Sequence, residues 1–153
     1  TCRSSTRSSG SAARVEATGR YRSINRETFG RAELEADLKD PSTLRSQVYT
    51  AYRQLLEVRQ QHPAFHPNGP QWILSLDPRV FAVLRSAPDG SERILCLHNV
   101  TDEEVGLSLN SARLGSSGHN RWFDLLTARG WAVENGTLAV PLNPYEVVWL
   151  NSR

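Results

Sequence analysis

The chain has 153 residues, 39% of them hydrophobic and 22% charged, enough for one ordinary core and short of two full-sized domains. Eighteen Lys plus Arg against sixteen Asp plus Glu leave a formal charge of +2, which gives no ground for a polyanion-binding surface, and no nucleic-acid partner is expected. All the basic residues except Lys39 are Arg, a compositional bias that assigns no function by itself.

Cys2 and Cys96 lie far apart, one in a loose polar head, so neither a disulfide framework nor a metal cluster is expected. No apolar run approaches the ~18 residues of a membrane span, and no apolar segment follows the basic start as a signal peptide requires. The expectation is a cytoplasmic protein without a membrane partner, although a chain that opens on Thr1 and holds no Met leaves its natural start open.

In chain order, residues 1–14 contain Ser, Thr, Arg, Ala and Gly and no large apolar side chain beyond Cys2, so they are predicted to be a disordered or aberrant head. A loop dense in Arg follows, then a short helix-prone stretch, Glu33 to Lys39, that ends at Asp40-Pro41. The same pair opens the next helix, with Asp40 or Ser42 as its cap. Leu44, Val48, Ala51, Leu55 and Val58 recur at helical spacing, predicting a helix from Ser42 to Gln61 that stops before His62-Pro63. One wide apolar stripe must cover something, and no helical partner comes after it. It needs a sheet.

After Pro70 the apolar period changes to two. Eight strands are predicted: Gln71–Leu76, Val80–Ser86, Arg93–Val100, Glu104–Leu109, Arg121–Leu126, Trp131–Glu134, Leu138–Pro141 and Tyr145–Leu150. Asp77-Pro78, Pro88-Asp89-Gly90 and Asn135-Gly136 supply turns, the last suited to a type I′ hairpin that requires two positive φ values. This spacing of strands suggests an antiparallel sandwich.

Candidate chemistry is sparse. His62, His66, Cys96 and His98 are potential zinc ligands, but Pro63 disrupts the helix that would align the first two, and Cys96 and His98 on one strand face read better as core residues. No zinc and no other cofactor are expected. No nucleophile elbow or phosphate loop is present, and Asp102-Glu103-Glu104 reads as a solvated turn. Trp72, Trp122, Trp131 and Trp149 would suit a sugar-stacking platform, yet at least three belong in a core. The segment that stands apart is Thr18 to Arg26, where Arg20, Arg22 and Arg26 crowd around Tyr21 and Asn25 and call for carboxylates or ligand hydroxyls to satisfy them.

Gly19-Arg20-Tyr21-Arg22-Ser23-Ile24-Asn25-Arg26, Asp40-Pro41-Ser42, Pro63-Ala64-Phe65-His66-Pro67-Asn68-Gly69, Ile94 to Val100 and Leu142 to Leu150 occur in unbroken order. Together they resemble the C-terminal third of sucrose phosphorylases and related glucoside phosphorylases, of the α-amylase-like glycoside hydrolase family 13. The resemblance implies an α+β fragment: the last loop and helix of a (β/α)8 barrel followed by an all-β antiparallel C-terminal sandwich domain. Residues 15–66 would end the catalytic barrel and residues 67–153 would form the C-terminal domain. The barrel segment that precedes them would then be this chain's partner.

The resemblance also implies a retaining transfer of a glucosyl unit from sucrose or a related α-glucoside to phosphate, using an Asp nucleophile, a Glu acid/base and a second Asp. All three would precede this region, so no catalytic residue is assigned and the fragment is expected to be inactive alone. Arg22 matches the family Arg that contacts the donor sugar's hydroxyls and is the substrate-binding candidate; Asn25 and Arg26 would hold its loop in shape. The alternatives are a stand-alone β-sandwich module that binds carbohydrate or protein, and a gene remnant without function.

Overall fold

A computed structural model describes residues 29–115 and 120–152. The chain divides into two units, Thr1–Tyr49 and Thr50–Arg153. The candidates Arg22, Asn25 and Arg26 lie outside the described residues.

In the first unit, helix α1 (Arg31–Lys39) carries an Arg31–Glu35 ion pair of 2.7 Å along its exposed side and ends at Asp40, whose extended backbone stops the helix. Asp40 then accepts hydrogen bonds from the Ser42 amide at 2.9 Å and the Ser42 hydroxyl at 2.7 Å. These two bonds fold residues 40–43 into a turn, so helix α2 (Leu44–Gln61), whose residues from Thr50 onward belong to the second unit, begins two residues later than Ser42. Its cap is Thr43, not Asp40 or Ser42: Thr43 Oγ1 accepts from the Ser46 amide at 3.2 Å and itself donates to the Asp37 carbonyl at 2.7 Å. Arg45 pairs with Asp37 and stacks its guanidinium 4.0 Å from the centre of the Phe29 ring.

In the second unit, eight strands follow: β1 (Gln71–Asp77), β2 (Val80–Ser86), β3 (Arg93–Asn99), β4 (Val105–Asn110), β5 (Arg121–Asp124), β6 (Gly130–Glu134), β7 (Thr137–Leu142) and β8 (Val147–Ser152). Every pairing is antiparallel, in the order β1-β2-β3-β8-β5-β6-β7-β4. The expected sandwich is thus one continuous ladder. Strand β6 lets it fold over, because Gly130–Ala132 pair with β5 while Val133 and Glu134 pair with β7. Asn135 and Gly136 join β6 to β7 with φ of 50° and 77°, the two positive values that a type I′ turn demands.

Alternation along the strands builds the core. Ala82 and Leu84 of β2, Leu95 and Leu97 of β3, Leu107 of β4, Leu138 and Val140 of β7, and Val148 and Leu150 of β8 are buried in one cluster around Trp122. The odd–even partners of β3 and β8 point to the opposite face, where Ile94, Cys96 and Trp149 form a second cluster with Ala64 and Phe65. Leu55 and Val58 of α2 pack against it. Two of the five residues of the predicted stripe therefore find a sheet, whereas Leu44 is 74% exposed and Val48 is 59% exposed. Among the described residues no helix is long and apolar enough to cross a membrane.

Candidate functional site

The outer face of β3 and β8 carries Cys96 and His98, and His62 is held beside the start of β3. It is reached from α2 through a short bridge. Pro63 pushes His62 into extended backbone, with φ −118° and ψ 114°, and the 3₁₀ turn Pro63–Phe65 then drops Ala64 and Phe65 onto the sheet. The Phe65 ring lies 4.7 Å from Trp149, with the Arg85 guanidinium 5.6 Å from its centre on β2 and Arg59 at 6.0 Å. Arg85 also donates through Nε to the Ala64 carbonyl at 3.1 Å and through Nη1 to Gln71 at 2.8 Å. At Gly69 the chain runs so close to β2 that a Cβ would sit 2.3 Å from the Ser86 carbonyl oxygen, which fixes glycine there.

Two carboxylates anchor this face. Glu92, half-buried before β3, accepts from His62 Nδ1 at 2.6 Å, from Asn151 Nδ2 at 2.9 Å and from the Ala64 amide at 3.1 Å. Because a carboxylate only accepts, His62 carries its proton on Nδ1. Asp124, buried at the end of β5, accepts from the amides of Trp149 at 2.9 Å, Thr127 at 3.0 Å and Leu126 at 3.3 Å, and from the Thr127 hydroxyl at 2.5 Å. Both acids are saturated by donors that hold backbone in place, which suits latches and not proton transfer to a substrate.

The histidines and cysteine considered as ligands are scattered by the fold. His62 is held by Glu92, and His66 accepts the Asn68 amide at 3.1 Å through Nδ1. Cys96 is buried beside Trp149, and burial pushes its thiol up to about 12. His98 lies edge-on to Phe81 with ring centres 6.0 Å apart, and burial holds its pKa below the usual histidine value. Among the described residues, no three His, Cys, Asp or Glu side chains converge as a metal site.

The tryptophans do not line up either. Trp122 and Trp149 are buried, Trp131 packs against the core with the Arg129 guanidinium 4.5 Å from its ring, and Trp72 is exposed on the edge strand β1. Glu103 of the acidic run faces solvent near Arg79 at 3.3 Å.

Beside Glu92 lies a polar groove of about 430 Å³ lined by Gly90, Ser91, Glu92, Arg93, Gly115, Asn151 and Ser152. Gly115 has φ 76°, and Arg93 crosses it where a Cβ would be 1.6 Å from Nη1.

Several motifs of the expected family turn out to be braces. Asn99 donates to the carbonyls of Glu103 at 2.6 Å and Asn143 at 2.8 Å and accepts from Thr101, tying the β3–β4 loop to the β7–β8 loop. Glu146 accepts from the Asn143 amide at 2.7 Å and from Arg129 at 2.9 Å. Sequence reasoning missed Glu92 and Asp124. Asp124 left a local sign, since an acid followed three residues later by Thr127 forms a side-chain turn; Glu92 left none, because its partners lie 30, 28 and 59 residues away.

No protein-family model matches the chain. Among curated proteins it is 35% identical over 140 residues to a glucosylglycerate phosphorylase of Spirochaeta thermophila, covering 89% of this chain and 24% of that protein. A glucosylglycerate phosphorylase of Allomeiothermus silvanus is 36% identical over 135 residues, covering 88% of this chain and 20% of that protein. The chain thus spans about a fifth to a quarter of the length of these relatives.

Among solved structures, the α-amylase of Geobacillus thermoleovorans complexed with acarbose superposes with a TM-score of 0.66 at 15% identity, over 86% of this chain and 26% of that one. AmyP in complex with maltose gives 0.62 at 20% identity, over 70% of this chain and 20% of that one, a likeness of fold. The chain is thus similar to glucoside phosphorylases of glycoside hydrolase family 13, the α-amylase-like family, as a C-terminal fragment of such a protein would be.

Proposed function

We propose that the chain forms the C-terminal part of a retaining enzyme that transfers a glucosyl unit from an α-glucoside to phosphate. The observation that carries this reading is the likeness to two glucosylglycerate phosphorylases over nearly nine-tenths of the chain. The donor is sucrose or a related α-glucoside, and the names of the relatives favour glucosylglycerate. The preceding barrel supplies the three carboxylates, and the cytoplasm is the expected compartment. In this reading α2 is the last barrel helix. Its exposed Leu44, Val48 and Tyr52 support that role, because an apolar stripe left in water favours burial against further polypeptide. The β-domain braces the end of the barrel, while the loop around Arg22 reaches the donor pocket at the barrel mouth.

The test is a chimera. Residues 15–153 replace the matching segment of the Spirochaeta thermophila glucosylglycerate phosphorylase, and release of glucose 1-phosphate is measured with glucosylglycerate or sucrose plus phosphate. The expected result is phosphorolysis by the chimera and none by the isolated chain. A folded but inactive chimera, or turnover by the isolated chain, would overturn the proposal.

A further inference from the structure

The pair Asn-Gly occurs twice in the chain, as Asn68-Gly69 and as Asn135-Gly136, and both asparagines are exposed. The fold treats the two glycine nitrogens differently. The Gly69 amide donates to the His66 carbonyl at 2.9 Å, and the residue is wedged against the Ser86 carbonyl of β2. Gly136 stands in the open, since an added Cβ would meet nothing within 4 Å. Among the described residues, neither the Gly136 amide nor the Asn135 carboxamide has a hydrogen-bond partner. Only the Gly136 carbonyl is held, accepting from the Ser111 amide and hydroxyl at 3.0 Å each.

An asparagine followed by glycine carries an electrophile and its nucleophile side by side. The backbone nitrogen of the glycine, on giving up its proton, attacks the asparagine Cγ; the bond from Cγ to the side-chain nitrogen breaks, and ammonia leaves with that proton. A cyclic imide remains. Water opening it at Cγ gives aspartate in an unaltered main chain. Opening at the main-chain carbonyl leaves the glycine joined through Cγ, an isoaspartate whose backbone is one methylene longer. Water enters, ammonia departs, and nothing is oxidised or reduced. Glycine favours the first step because it has no Cβ to obstruct the approach. A glycine amide that is donating a hydrogen bond must first release it, and one wedged against a strand cannot turn to meet the side chain without local opening.

We propose that Asn135 is a site of spontaneous deamidation in the folded chain, that Asn68 is protected, and that isoaspartate at position 135 loosens the β6–β7 hairpin. The aspartate product preserves the turn, because Asp-Gly suits type I′ as Asn-Gly does. The isoaspartate product lengthens the link between Glu134 and Thr137, which oppose each other, while fully buried Leu138 keeps its partner Val133 from shifting register. The modification is independent of the catalytic reading.

Storage of the 153-residue chain in mildly alkaline buffer, folded and in guanidinium chloride, tests this, with peptide mass spectrometry and chromatographic separation of aspartate from isoaspartate. In the folded chain Asn135 should lose its amide about tenfold or more faster than Asn68, whose glycine must first be freed. In denaturant the two should react at similar rates. Asn135→Gln, which would have to close a larger ring, should abolish the mass gain in its own peptide and leave Asn68 unchanged. Aged chain enriched in isoaspartate should melt below Asn135→Asp, which should melt with the parent. Equal rates at the two asparagines in the folded chain, a folded Asn135 that stays intact while it reacts in denaturant, the same disparity in denaturant as in the fold, or an isoaspartate chain as stable as Asn135→Asp would overturn the proposal.

Discussion

His62 presents Nδ1 to Oε1 of Glu92 at 2.6 Å, and each side chain is only 17% exposed. The contact pins the end of α2 to the start of β3. Glu92 simultaneously holds the Ala64 amide and Asn151, so its removal strands three donors at once. Glu92→Ala should cost about 2–4 kcal/mol, because each hydrogen bond to a charged group contributes roughly 1.5–3 kcal/mol and water reaches part of the site. Urea unfolding should show a lower midpoint at an unchanged slope. A midpoint equal to that of the parent chain would show that the latch contributes nothing.

Asp124 should be more sensitive. It is 2% exposed and serves four donors, among them the Trp149 amide in the middle of the second cluster. Asp124→Ala is expected to lose about 3–5 kcal/mol, the range for a buried charged acceptor whose partners stay behind unpaired. In the same loop Ala128 sits at φ 59°, and Ala128→Gly should raise stability by roughly 0.5 kcal/mol, the relief of left-handed strain less the added freedom of the unfolded chain. Thermal melts of both variants check the opposite signs.

The contrast between these acids and the strands shows what could be read in advance. All eight strands form with their ends within two residues of where alternation places them, and Asn135-Gly136 makes the turn its chemistry demands, because both signals are local. The start of α2 was misplaced by two residues because Asp40 spends its carboxylate on a turn, a choice that composition does not reveal. Exposure along α2 was legible only in part: Leu55 and Val58 find the sheet, while Leu44 and Val48 are exposed. Glu92 was illegible, since its three partners converge only after β3 and β8 pair. The Arg-rich loop was read through resemblance, and no neighbouring residue predicts its role.

Cys96 should be chemically silent in the native state. Burial beside Ile94 and Trp149 pushes its thiol up to about 12. The reactive thiolate is therefore scarce near pH 8, before any steric protection is counted. Brief iodoacetamide treatment followed by peptide mass spectrometry should leave Cys96 unmodified in the folded chain and label it fully in urea. Rapid native labelling would contradict the burial.

His98 gives the fold a pH dependence of defined sign. Burial disfavours its charged form, so its folded pKa lies below 6.5, the value it regains on unfolding. Between those two values the unfolded chain binds more protons, and stability falls as pH drops. The contribution is complete above pH 6.5 and is lost as pH falls through the folded pKa. Urea midpoints of the parent chain and of His98→Gln should converge or cross as the pH is lowered from 7.5 to 5. A constant difference between them across that range would remove His98 as the cause.

Arg22 carries the prediction that bears most directly on activity, and it is made in the chimera. A guanidinium that donates to the donor sugar's hydroxyls from the rim of a dry pocket is worth roughly 1.5–3 kcal/mol for each bond it makes. Arg22→Ala should therefore lower kcat/KM by about ten- to a hundredfold. Arg22→Lys should recover little of this, since a single ammonium does not reproduce the planar fork of donors. Arg20→Ala, two residues earlier, should leave the kinetics nearly unchanged if Arg20 belongs to the solvated side of the same loop. The pair is informative because both substitutions remove the same charge from the same segment. A general electrostatic effect would lower both rates together, whereas a specific contact separates them. Equal and near-neutral kinetics for the two variants would reduce the loop to a charged surface and withdraw Arg22 from the substrate site.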